Sequence, residues 1–151
     1  MLLKTIFYML ERDNSLYVVD IFIACDKISR YTKRFNNAQD FLYSELEWDA
    51  TIRELEIIGE ATNSLLKSNA VDAKYRRIVD FRNQIIHGYF GVDENIVWDI
   101  VTKKLDLYLY DLRSLSINLS DAIELAKIEN SKNKNILSLL NNLEKMSKEN
   151  N

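Results

Sequence analysis

Residues 41–67 read FLYSELEWDATIRELEIIGEATNSLLK. Trp48, Ile52, Leu55, Thr62 and Leu66 recur at helical spacing and trace one stripe, and Leu46, Ala50, Ile57, Ala61 and Leu65 trace another. The stretch is therefore expected to be one long helix. Gly59 falls in its interior, where glycine costs roughly 1 kcal/mol relative to alanine. Close packing by a neighbouring helix is the expected reason for it.

The flanking segments follow the same period. Residues 14–32 carry Leu16, Val18, Val19, Ile21, Ile23, Cys25 and Ile28, a wide apolar stripe with Asn14 or Ser15 as the expected cap. Residues 33–40 are polar and read as a connection. After a break at 68–71, residues 72–87 predict a third helix with Tyr75, Ile78, Val79, Ile85 and Ile86 facing inward. Gly88 and Gly91 loosen the backbone, and Asp93 is placed to cap a fourth helix over 94–114. That helix repeats apolar residues at Val97, Ile100, Val101, Leu105 and Tyr108. Beyond a weak break at 116–120 come one or two amphipathic pieces, the clearest at Ile136, Leu140 and Leu143, and the final SKENN is expected to fray. No stretch alternates with period two, so no sheet is expected. Long helices on short connections predict an all-α, antiparallel four-helix bundle with an additional C-terminal helical segment. The expected division is an N-terminal helical extension over 1–12, the helical domain over 13–115 and a C-terminal helical extension over 116–151.

Composition narrows the class. The chain has no proline and three glycines, so few turns are enforced. Cys25 is the only cysteine and His87 the only histidine, so one chain builds neither an internal disulfide nor a Cys/His zinc site. A lone cysteine suits a reducing compartment, and the expected location is the prokaryotic cytoplasm. The opening MLLKTIFYMLERDNSLYVV is interrupted by Lys4, Glu11, Arg12 and Asp13, so neither a signal peptide nor a membrane span is expected. Net charge is −3, so contact with nucleic acid needs a local basic patch or a small site for one phosphate.

The candidate site lies in residues 80–98, DFRNQIIHGYFGVDENIVW. On a helix Asn83 and His87 are four apart and share a face, with Arg82 at its edge. Gly88 can end the helix and let Tyr89 turn back toward His87. A cation, an amide, an imidazole and a phenol can thus converge on one pocket. Arginine offers a planar fork that matches two phosphate oxygens. Histidine, whose ordinary pKa is about 6.5, can take or give a proton at neutral pH. RNA can be cut without a metal if its own 2′-hydroxyl attacks phosphorus while the protein moves protons and stabilises the developing charge. The plainer alternative is a histidine that merely caps carbonyls at a helix end.

The chain resembles the HepT family of the HEPN superfamily of helical nucleases over residues 13–110. RNQIIHGYF fits that family's Arg-x4-His-x-Tyr motif, with Asn after the Arg. ELEWDATIRELEIIGEAT is similar to its second helix, DNSLYVVDIFIACDKISRYT to its first, and FGVDENIVWDIV to the entry of its last core helix. KYRRIVDF stands where many members carry a stretch with Pro and Trp. The resemblance implies the toxin of a type VII toxin–antitoxin pair: a homodimeric, metal-independent ribonuclease, needing no cofactor, whose two motif copies meet in a cleft. Its implied partner is a nucleotidyltransferase antitoxin of the MntA type, which adenylylates the motif tyrosine, here Tyr89. Arg82 and His87 carry over as catalytic residues and Asn83 as a supporting one. Glu60 is a candidate to orient Arg82. The substrate expected is RNA, transfer or messenger, with no membrane association. A different class of function is an idle HEPN module that presents substrate to a nucleotidyltransferase.

Overall fold

A computed structural model gives the fold and describes Leu2, residues 13–88 and residues 91–149. The expected N-terminal extension therefore lies, but for Leu2, outside the described residues, as do Tyr89, Phe90, Asn150 and Asn151. Among the described residues every regular element is helical. The core helices are α1 (Asn14–Thr32), a short α2 (Ala38–Leu42), α3 (Glu45–Lys67) and α4 (Arg76–Ile86). After them a single rod runs through α5 (Glu94–Asp99), a π-helical turn (Ile100–Lys104) and α6 (Leu105–Arg113). The C-terminal helices are α7 (Ser120–Glu129) and α8 (Lys134–Glu149).

Cross-links along the helices fix their directions. Lys27 pairs with Glu54 at 3.3 Å, and Ser68 donates to Asn14 at 2.8 Å, so α1 and α3 run antiparallel. Phe41 packs on Trp98 near one end of the rod, while Thr62 and Tyr108 share a hydrogen bond of 2.9 Å near the other, so α6 runs with α3 and against α1. Tyr75, in the 3-10 turn Ala73–Tyr75 that leads into α4, stacks on Tyr108 at 4.2 Å and donates its hydroxyl to Asp111. The four long elements form an antiparallel bundle, as the helical periodicity implied. α1 is its central member, buried at Val18, Val19, Ile21, Phe22, Ala24, Cys25 and Ile28. Ile123, Ile136, Leu140 and Leu143 of α7 and α8 join the same apolar core. Among the described residues no helix is long and apolar enough to cross a membrane.

The structure corrects the sequence expectations at several points. The cap of α1 is Asp13, which accepts from the Ser15 N–H at 3.0 Å, rather than Asn14 or Ser15. The second long helix does not begin at Phe41. Asn37 accepts from the Asp40 N–H at 2.9 Å and starts α2 inside the supposed connection, and α3 begins at Glu45. Phe41 anchors α2 because its ring lies 5.6 Å from Phe35 and 5.0 Å from Trp48. Leu46, placed on an apolar stripe, is 80 % exposed because among the described residues no neighbouring element covers the start of α3 on that side. Ile86, expected inward, is 47 % exposed, since at the last turn of α4 the inward direction belongs to Ile85. The third helix is also split, its first turn being the 3-10 turn. At the C-terminus α8 continues through Ser147 and Lys148 to Glu149, so these residues of the stretch expected to fray are helical.

Candidate functional site

Arg82 sits midway along α4 and packs against α3 at Gly59. A β-carbon on Gly59 would fall 2.3 Å from Cβ and 2.6 Å from Cγ of Arg82, so the stem of the arginine occupies the space that the glycine leaves. The seat fixes the guanidinium. Its Nη1 donates to Oδ1 of Asn83 at 3.0 Å, and its Nη2 lies 3.3 Å from Oε1 of Glu60, the residue after the glycine. Nε is buried and has no hydrogen-bond partner among the described residues. Each terminal nitrogen carries a second N–H, so an anion can be bound without breaking either contact.

His87 follows the last residue of α4. Its backbone N–H donates to the Asn83 carbonyl at 3.1 Å, which holds the imidazole one turn beyond the Asn83 side chain, and the residue is exposed. Gly88 then takes φ +62°, the left-handed region that a residue with a β-carbon rarely adopts, and so ends the helix directly after the histidine. Gly91 repeats that φ before Asp93 caps α5 by accepting from the Asn95 N–H at 2.8 Å. The structure thus brings Arg82, Asn83 and Glu60 into one hydrogen-bonded group and places His87 on the same helix. Tyr89 lies outside the described residues.

Two features went unread in the sequence. Glu54 is buried and paired with Lys27, an ion pair that locks α1 to α3 one and a half turns from Gly59. Asp111, on α6, receives the Tyr75 hydroxyl and lies 3.4 Å from Nζ of Lys74, which ties the entry of α4 to the last core helix. The Tyr75 hydrogen bond lowers the Asp111 pKa, and burial followed by that same bond raises the Tyr75 phenol. Signals for both were present only as single polar letters. Two grooves of about 920 and 430 Å³ lie elsewhere, one between α1 and residues 112–120, the other between α1 and the π turn. Arg82, Asn83, His87 and Glu60 line neither of these two grooves.

The family model described as "Ribonuclease HepT-like" matches residues 21–115, which include Gly59, Glu60 and the whole of α4. "Probable ribonuclease HepT" of Thermococcus cleftensis is 32 % identical over 99 residues, which cover 64 % of this chain and 89 % of that protein. "Putative RNase MJ1380" of Methanocaldococcus jannaschii is 32 % identical over 96 residues, covering 62 % and 87 %. "Gamma-glutamylcyclotransferase and putative RNase MJ0434" of the same organism is 31 % identical over 99 residues, 64 % of this chain but 44 % of that longer protein. No solved structure matches the chain.

Proposed function

The chain belongs to the HepT-like ribonuclease family, and from that membership we propose that it is an RNA-cleaving toxin silenced by a partner enzyme. The observation that carries this proposal is Arg82, seated on Gly59 and held at both terminal nitrogens with donors to spare. Such a fork suits the two non-bridging oxygens of an RNA phosphodiester and the charge that grows on them. His87, one turn beyond Asn83, serves as the proton carrier. The 2′-hydroxyl gives its proton to an imidazole and attacks phosphorus. The bond from phosphorus to the 5′-oxygen breaks, that oxygen takes a proton, and a 2′,3′-cyclic phosphate is left. One chain supplies a single histidine, so a homodimer with two copies of His87 and Arg82 at a shared cleft provides base and acid together. No metal is required by this route.

Regulation falls to a nucleotidyltransferase of the MntA type, the antitoxin of a type VII pair. The Tyr89 phenol attacks the α-phosphorus of ATP, pyrophosphate leaves, and AMP remains on the tyrosine. Tyr89 follows His87 by two residues in the sequence, and an attached phosphate would compete with RNA for the Arg82 fork.

Purified protein should cut RNA in the presence of a chelator and leave a 2′,3′-cyclic phosphate. RNA with a 2′-deoxy group at the cleaved position should resist. Cleavage of that deoxy substrate at the normal rate would sink the mechanism. Incubation with the nucleotidyltransferase and ATP should add one AMP at Tyr89 by peptide mass analysis and abolish cleavage. Modification confined to another residue would overturn the regulatory part.

A further inference from the structure

The helix that carries Arg82 also carries two arginines that make neither an ion pair nor a ring contact among the described residues. Arg30, Arg34, Arg53 and Arg82 each close an ion pair, and Arg113 lies over the ring of Phe22. Arg76 and Arg77, at the start of α4, are exposed and do neither among the described residues. Their position is electrostatically unfavourable, because cations at a helix N-terminus oppose the peptide dipole, and the first turn of α4 holds no acidic residue to offset them. Lys74 stands just before them, with its charge already committed to Asp111.

Their direction is set by the helix. Arg76, Asn83 and His87 are seven and then four residues apart, which returns them to within about 40° of one another around the axis. Arg76 sits roughly 16 Å along the axis from His87, at 1.5 Å per residue. Arg77 is the next residue, about 100° round the axis from Arg76 and about 80° from His87. Asp80 also lies on this face and pairs with neither arginine. The large apolar side chain exposed on α4 is Ile86, which points about 80° away from Arg76. A protein partner would need aromatic or apolar anchors at the centre of its contact, whereas a polyanion is held by cations alone.

We infer that Arg76 and Arg77 form a phosphate-binding subsite that holds the RNA strand a few nucleotides from the phosphate at Arg82, resting on the ribonuclease activity proposed above. The strand lies along α4, with the cleaved phosphate at Arg82 and His87 and the anchored phosphates at the start of the helix. A chain of net charge −3 thereby meets RNA with arginines at two places along one helix. Asp80 separates the two cation positions and weakens the grip between them.

The test uses the full chain with His87→Ala in the background, so that RNA is bound without being cut, and a fluorescent single-stranded oligonucleotide as probe. Arg76→Ala with Arg77→Ala should weaken binding. It should also flatten the plot of log affinity against log salt by about 0.7 for each phosphate that the protein no longer neutralises, hence about 1.4 for the pair. Arg76→Lys with Arg77→Lys should keep most of the slope, and Asp80→Asn should tighten binding. Lys132→Ala, in the turn between α7 and α8, with Lys145→Ala in α8 removes equal charge from the C-terminal region and should leave the slope unchanged. If the double alanine variant matches its parent in affinity and slope, while wild-type protein still cleaves RNA, the subsite is wrong and the ribonuclease proposal stands. If wild-type protein neither binds nor cleaves RNA, both fall. If the double variant keeps RNA binding but loses association with the nucleotidyltransferase, the patch is a protein interface and the inference is overturned.

Discussion

Gly59 and Arg82 share one volume: a β-carbon on the first would stand 2.3 Å from the β-carbon of the second. That carbon is fixed to the α4 backbone, so it cannot swing away as the end of a flexible side chain would. Gly59→Ala must therefore push α4 off α3. Overpacking of this kind costs about 1–3 kcal/mol, against which the better helix propensity of alanine returns at most about 1 kcal/mol. The variant should melt modestly lower than wild type yet lose RNA cleavage by a factor out of proportion to its stability. A variant with full cleavage would show that the seat of Arg82 is unimportant for the reaction.

Glu60 tests orientation separately from packing. Its carboxylate is 55 % exposed, and an exposed ion pair contributes about 0–1 kcal/mol, so Glu60→Gln should leave the melting temperature nearly unchanged. Loss of the charged partner frees one end of the guanidinium. A small misplacement at a reacting centre can cost up to about 10²-fold in rate. Cleavage should accordingly fall about 10- to 100-fold, mainly in kcat. A change confined to KM would mean that Glu60 acts on binding alone.

For His87 the decisive measurement is a mixed dimer. His87→Ala in both chains should lower cleavage by about 10²–10⁴-fold with no loss of fold, because the side chain is exposed. A dimer of one wild-type and one His87→Ala chain should lose most activity if both imidazoles serve one cleft. Retention of about half the wild-type rate would mean that each chain works alone.

Asp20 controls a pH dependence remote from the site. Burial, followed by the negative charge of Glu129, pushes its pKa from 3.8 up to about 6. The native chain thus holds this proton more tightly than the unfolded chain. The contribution of Asp20 to stability is full below about pH 4, is lost as pH climbs to about 6, and is level above. Glu47, Asp111 and Glu144 are shifted down by hydrogen bonds from Arg34, Tyr75 and Lys127 and act in the opposite sense at more acid pH, but all three lie at the surface. Asp20→Asn should raise the melting temperature at pH 7–8 and remove the decline between pH 4 and 6 measured by calorimetry. Parallel curves for variant and wild type would refute the assignment.

The long helices were legible because their apolar residues keep step with 3.6 residues per turn over many turns. α2 was not, since five residues carry no period, and its existence depends on the Asn37 cap and on Phe41 finding Phe35 and Trp48. Leu46 and Ile86 fit stripes that run past the point where a neighbour stops covering them. A stripe records what a helix could bury, and only the packing decides how much of it is used. In the site, Gly59 signalled a close approach, and the Glu60 carboxylate was a candidate partner for Arg82. That Arg82 itself fills the gap required the register of α3 against α4, which no local pattern encodes.

The π turn at Ile100–Lys104 acts as a phase shifter. Five residues there occupy little more rise than four would, so the residues after the turn are rotated relative to those before it while the rod stays continuous. Ahead of it Trp98 addresses Phe41, and behind it Tyr108 addresses Thr62 and Tyr75. Deleting a single residue from this turn would leave the chemistry of every remaining side chain intact and still aim α6 at the wrong neighbours. For this helix the length of the segment, counted to the residue, is itself a packing contact.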